Sequence, residues 1–162
     1  MTPLSPRELA AYCDRIGYGG PLRPDLATLD GLHRAHALAI PFENLDVQLG
    51  TPPTMDPDAA FAKLVTARRG GWCYEHNGLF ARALTALGFD VTRMSGGVMR
   101  SAMGDTTLGS HLCLRVDIDG TAYLTDVGFG GTLLAPLELR QLHEAGAGSI
   151  QAGTRRGRLL AA

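Results

Sequence analysis

Up to about Gly88, apolar positions recur at helical spacing. Leu9, Tyr12, Cys13 and Ile16 make one such stripe. Ser5-Pro6-Arg7-Glu8 precedes it as an N-cap, a proline at the first helical position and a capping-box glutamate, and Gly17 stops it. A second helix is predicted from about Thr28 to Ala39, with Leu29, Leu32 and Ala35 on one face, ending at Pro41. His33 and His36 on this helix read as partly exposed. Asp56-Pro57, cap then proline, announces a third helix carrying Phe61, Leu64 and Val65. A fourth begins near Cys73 and runs through Leu79, Phe80, Ala83, Leu84 and Leu87 to Gly88.

Beyond Gly88 the period changes to two. Phe89 to Arg100 alternates loosely, with Gly96-Gly97 marking a bend or bulge. HLCLRVDIDGTAYLTDVGF, His111 to Phe129, reads as a hairpin closed by a two-residue type I′ turn at Asp119-Gly120. From Gly130 the signal decays, and the Gly/Ala/Arg-rich stretch 146–162 predicts weak order. A helical part, 1–88, is thus followed by an antiparallel β part, 89–145. The fold class is α+β.

With 162 residues, 45% of them hydrophobic, the chain can bury a real core without disulfides. Its three cysteines, Cys13, Cys73 and Cys113, have no framework spacing, and the natural compartment is reducing. The N-terminal residues contain no apolar signal core and no run approaches a membrane span, so a cytoplasmic protein without membrane partners is expected. A net charge of −1 gives no electrostatic case for nucleic acid. Nearly all basic residues are arginine; Lys63 is the only lysine, and the pattern gives it no functional weight.

RRGGWCYEHNGLF, Arg68 to Phe80, holds the most pointed chemistry. Gly70-Gly71 lets the backbone turn sharply into the fourth helix and places Cys73 in its first turn. Free N–H groups and the positive end of the helix dipole favour a thiolate there. A small packing residue is the competing reading, unless a base is near. The hairpin offers one. If Asp119-Gly120 forms the turn, Ile118 pairs with Thr121, Cys113 faces Asp126 and His111 faces Gly128. His111 and Asp126 then lie on one face as diagonal neighbours, with Cβ atoms roughly 7–8 Å apart. A one-residue slip would break this relation. Cys13, on its apolar stripe, reads as a core thiol. His76 is as readily packed or solvated as catalytic. Glu75, among Trp72, Leu79 and Phe80, reads as a buried structural carboxylate bonded to backbone or to an arginine. A zinc site built from Cys73, His76, His111 and Cys113 is the alternative constellation, although its spacings lack the usual knuckle pairing.

The cysteine segment resembles the active-site motif R-G-G-x-C-x-E-x-N of the arylamine N-acetyltransferases. SHLCLRV around His111, DVGFGG around Asp126 and AIPFENLDVQLG, Ala39 to Gly50, are similar to three further segments of that family, in the same order. The resemblance covers Met1 to about Pro136. It implies a helical bundle followed by an incomplete antiparallel β-barrel, with a cysteine-protease-like Cys-His-Asp core of Cys73, His111 and Asp126. It further implies ping-pong transfer from acetyl-CoA, as cosubstrate and with no metal, through an acetyl-cysteine to an aromatic amine, hydrazine or hydroxylamine. By the same carry-over, Phe42 and Phe129 line the acceptor pocket, and Ser110, Gly130 and Gly131 meet CoA.

Family members commonly add the rest of the barrel and a lid domain. Measured against that pattern, the sequence is expected to lack both and to leave strand edges that the final residues, a partner subunit or homo-oligomerisation would have to cover. Other readings keep the thiol and change the outcome. They are an amide synthase closing macrolactams, a transglutaminase-like hydrolase, which AIPFENLDV argues against, and a non-catalytic or partner-dependent fragment.

Overall fold

The computed structural model describes residues 2–130, 133–139, 150–151 and 160–161. Helices come first and an antiparallel sheet follows, as the change of period predicts. Helix α1, Pro6–Ile16, starts on a capping box: Ser5 Oγ accepts from the Glu8 N–H, and Glu8 Oε2 accepts from the Ser5 N–H at 2.8 Å. Gly17 closes it in the left-handed region at φ 67°. Helix α2, Leu26–Ala39, begins two residues before the expected start because Asp25 caps the Thr28 N–H at 2.8 Å. A short helix absent from the sequence reading, α3, spans Leu45–Gln48. The helix announced by Asp56-Pro57 is α4, Pro57–Phe61, which continues as a π-turn over Ala62–Thr66. Helix α5, Cys73–Ala86, carries the cysteine.

Strand β1 is Asp90–Gly97 and β2 is Leu108–Ile118, with a register shift between Gly96 and Gly97, where the glycine pair predicts a bend. The sequence pattern carries β1 on to Arg100. Instead Met99 takes φ 58° and opens a short helix α6, Arg100–Met103, followed by a 3-10 turn, Gly104–Thr107. Strand β3, Thr121–Thr125, is joined to β2 through Asp119 (φ 49°) and Gly120 (φ 78°), both left-handed as a type I′ turn requires. Ile118 pairs with Thr121 as expected, but the ladder ends at Leu114 opposite Thr125. Asp126 lies one residue past it, where the chain leaves the sheet. Strand β4, Leu137–Glu138, completes a sheet ordered β1-β2-β3-β4; β5, Ile150–Gln151, pairs with β6, Leu160–Ala161. Most of the stretch expected to be weakly ordered, 146–162, lies outside the described residues.

The core explains why the sheet sits on the helices. Tyr12, Leu29, Leu32, Leu64, Phe80 and Leu84 are fully buried, and Leu114 and Val116 of β2 join the same cluster. Each large side chain of this kind contributes about 2 kcal/mol of burial. His33 and His36 correct the sequence reading: both are at 0% exposure. Positions 29, 32, 33 and 36 form one i, i+3, i+4, i+7 stripe, and α2 is covered by neighbours on a wider face than the leucines alone suggest.

Candidate active site

The start of α5 is fixed from two directions. The Gly71 N–H donates to the Pro41 carbonyl at 3.2 Å, and the Glu43 N–H donates to the Gly71 carbonyl at 2.8 Å. These bonds dock IPFEN beside Gly70-Gly71. A Cβ on Gly70 would run into the Pro41 carbonyl oxygen, so close approach requires glycine there. On the other side, Glu75 is buried at 2% exposure. It accepts from the Trp72 N–H at 3.1 Å and from Lys63 Nζ at 3.0 Å. The backbone partner is as expected, and the charged partner is the lone lysine in place of an arginine. Lys63 also reaches Asp46 at 2.8 Å, and Arg69 joins Glu43 at 2.9 Å and Asp46 at 2.7 Å. The side chain to which the sequence gives no weight ties α3, the π-turn and α5 together. No N-cap side chain occupies the first-turn N–H groups of α5.

Cys73 is buried in that first turn, with Sγ 3.9 Å from the Ser110 carbonyl oxygen. His111 and Asp126 meet, although the ladder expected to pair Cys113 with Asp126 and His111 with Gly128 stops before them: Asp126 Oδ2 accepts from His111 Nε2 at 2.6 Å. Burial opposes charge on His111, but hydrogen bonds to Asp126 and Cys73, reinforced by their charges, win and push it up to about 9. With Nε2 held by the carboxylate, Nδ1 is the nitrogen left for the thiol.

Two residues without a role in the sequence reading hold Asp126. Asn77, four residues after Cys73 and on the same helix face, donates Nδ2–H to Asp126 Oδ1 at 2.8 Å and to the Leu112 carbonyl at 2.6 Å. Its Oδ1 accepts from the Val127 N–H at 3.0 Å, so one buried amide fastens the strand and the segment after β3 to the cysteine helix. His33 Nε2 accepts from the Asp126 N–H at 3.2 Å. Burial drives His33 down to about 4 against the pull of the Asp126 charge, which keeps it a neutral acceptor. The Gly128 N–H adds a further bond to Oδ1 at 3.0 Å. Contact here is close: a Cβ on Gly128 would stand 2.9 Å from Cys73 Cα. A buried asparagine at i+4 from a candidate nucleophile is the signal that points to Asn77; no sequence pattern marks His33.

A cavity of about 390 Å³ flanks this group, lined by Ile40, Phe42, Asp126, Val127, Phe129 and Gly130 among others. Phe129 is also packed edge-on against His111, centroids 5.1 Å apart at 84°. Cys73 does not line the cavity; Phe129 and Asp126 are what connect the two. Ser110 lies outside it, where its Oγ accepts from the Val98 N–H at 3.0 Å. Gly131 lies outside the described residues. The zinc alternative is not assembled: His76 spends Nδ1 on His36 and Nε2 on the Pro41 carbonyl. Among the described residues, no three His, Cys, Asp or Glu side chains are grouped to hold a metal ion. No helix among them is long and apolar enough to cross a membrane.

The N-acetyltransferase family model matches residues 25–149, from the cap of α2 past the sheet and the whole of the site. The chain belongs to the arylamine N-acetyltransferase family. The arylamine N-acetyltransferase of Mycolicibacterium smegmatis is 49% identical over 138 residues, covering 82% of this chain and 50% of that protein. The solved enzyme from Salmonella typhimurium superposes with a TM-score of 0.78 at 35% identity, over 95% of this chain and 61% of its own. The Mycobacterium marinum family member, solved in complex with CoA, gives 0.75 at 40% identity, over 92% and 57%. The chain spans about half the length of the curated family members it matches.

Proposed function

We propose that Cys73 carries an acetyl group from acetyl-CoA to an arylamine, arylhydrazine or arylhydroxylamine in a ping-pong reaction. The observation that carries this reading is the 2.6 Å bond of Asp126 to His111, beside a cysteine in the first turn of α5. The proton of the Cys73–His111 pair rests on the imidazole, which Asp126 orients and stabilises. Sγ attacks the thioester carbonyl, the C–S bond to CoA breaks, and His111 delivers its proton to the departing CoA thiolate. First-turn N–H groups of α5 are available to the oxyanion. In the second half, the amine nitrogen attacks the acetyl-cysteine, His111 takes its proton, and the thiolate leaves. Exchange of one thioester for another is nearly isoenergetic, so the acyl-enzyme is neither trap nor barrier.

Phe42 and Phe129 supply the aromatic walls against which a flat acceptor packs. CoA reaches the thiol past Ser110 and Gly130; the family member solved with CoA supports this ligand. Incubation with acetyl-CoA followed by intact-mass measurement tests the proposal. An adduct of about 42 Da on the wild type, absent in Cys73→Ser, is the expected acyl-enzyme. A folded wild-type chain that stays unmodified would favour a non-catalytic role.

A further inference from the structure

Tyr12 of α1, His36 of α2 and His76 of α5 form a chain that the catalytic group does not use. All three are at 0% exposure. Tyr12 Oη lies 2.9 Å from His36 Nδ1, His36 Nε2 lies 3.0 Å from His76 Nδ1, and His76 Nε2 lies 3.2 Å from the Pro41 carbonyl oxygen. A carbonyl only accepts, so His76 must carry its proton on Nε2 and present a bare Nδ1. His36 must then donate from Nε2 and accept on Nδ1, which leaves Tyr12 as the first donor. Every bond runs one way, toward Pro41. Both imidazoles are neutral: burial holds His36 well below its ordinary value and His76 at about 4.

The receiving end is the cavity wall. Pro41 and Phe42 line the cavity, and Phe42 is 47% exposed. Its ring lies over His76 in a nearly parallel plane, 15° apart with centroids at 6.4 Å. The backbone of this segment is otherwise held by its short parallel bridge to Gly71. His76 therefore grips the carbonyl before Phe42 and backs the Phe42 ring.

We propose that His76, locked in one tautomer by His36 and Tyr12, is a positioning residue of the aromatic-acceptor subsite, setting the affinity for a flat arylamine. The proposal rests on the acceptor role given to the cavity above. It is tested in the Cys73→Ser protein, where binding needs no turnover, by titrating 4-methoxyaniline and following the Phe42 ring signals by NMR. His76→Leu, which leaves the His36 N–H unpaired and the Pro41 carbonyl with the Gly71 N–H as its remaining donor, should weaken binding about tenfold. His76→Gln can accept through Oε1 and donate through Nε2, and should stay within about threefold of the parent. If His76→Leu does not fold, Tyr12→Phe removes the first donor and should weaken binding about twofold to threefold. Nitrogen-15 spectra should show Nε2–H tautomers for His36 and His76. Equal binding by His76→Leu and its parent, failure of His76→Gln to rescue, the opposite tautomer, or no arylamine binding by the parent would each overturn the proposal. Failure of wild-type Cys73 to take an acetyl group instead sinks the transferase reading, and leaves this binding test in force.

Discussion

Among the described residues, four buried histidines divide into two opposite kinds. On the helical side, His33, His36 and His76 are pushed down by burial and stay neutral. On the hairpin, His111 is also buried, yet it is pushed up to about 9. Burial is common to all four and cannot be the cause of the difference. The partner is. His76 faces a carbonyl and another imidazole, His33 accepts from a backbone N–H, and only His111 faces a carboxylate directly. The same side chain is thus held neutral in one region and pushed toward its charged form in the other, according to the groups opposite each ring: Asp126 and Cys73 at His111, a carbonyl, an imidazole or an N–H at the others.

The strongest way to break this contrast is Asp126→Asn. The amide oxygen can still accept from Asn77 and Gly128, but its N–H₂ then faces His111 Nε2 and forces the wrong tautomer toward the thiol. Acetylation of Cys73 should slow by about a thousandfold, read from intact mass against time. The His111 titration followed by NMR should fall from about 9, with only the weaker pull of Cys73 left to oppose burial. Unchanged titration would mean that the carboxylate is not what separates His111 from the others.

Next in size is the acid limb of stability. His33 and His76 have folded values near 4, below the ordinary 6.5, so the unfolded chain binds their protons first. Their stabilising contribution is whole above pH 6.5 and is lost as pH falls toward 4, at roughly 2–3 kcal/mol for each group. Acid unfolding followed by circular dichroism should therefore begin below pH 6.5. His33→Gln keeps an acceptor for the Asp126 N–H without a titrating ring, and should unfold at lower pH than the wild type. Coincident acid midpoints would remove His33 from the neutral class.

His111 predicts the opposite limb. Its folded value is raised, so its contribution is present in full below pH 6.5 and is lost as pH rises through about 9. The stability gap between wild type and His111→Gln, from urea midpoints, should shrink by on the order of 2 kcal/mol between pH 6 and 9.5. A gap that grows with pH would contradict the assignment.

Some of this contrast is legible in the sequence, because local chemistry enforces it. Asp119-Gly120 admits one turn type, the turn sets the register as far as Leu114 opposite Thr125, and Asp126 follows as the next residue of the chain. Ser5-Pro6-Arg7-Glu8 and Asp56-Pro57 likewise announce α1 and α4 through caps that need no tertiary context. The neutral histidines were hidden because their state depends on what covers α2. Leu29, Leu32 and Ala35 show one buried stripe, but only packed neighbours show that His33 and His36 are also enclosed. Lys63 was hidden for a related reason: its carboxylate partners come from two separate places in the chain, Glu43 and Asp46 in one and Glu75 in the other. Asn77 stood inside the cysteine motif, four residues from Cys73, yet its hold on Asp126 required both β2 and the segment after β3 to be in place. Even the hairpin reading needed one adjustment, since the ladder stops at Thr125 and Asp126 works from outside the sheet.

The smallest expected effect isolates what burial adds to a carboxylate. Arg115 and Asp117, further along the same strand as His111, meet at 2.7 Å, close to the 2.6 Å of His111 and Asp126. Their side chains are 46% and 29% exposed, against 9% and 7% for the buried pair. Water screens the outer pair and satisfies either group when the other is removed, so Arg115→Ala should change the urea-derived stability by less than about 0.5 kcal/mol. At His111, removing the carboxylate leaves a buried ring without its charge partner, and neither screening nor hydration compensates. If Arg115→Ala proved as costly as Asp126→Asn, proximity alone would account for the hairpin histidine. A near-silent Arg115→Ala would instead assign the difference to a charge partner held out of water.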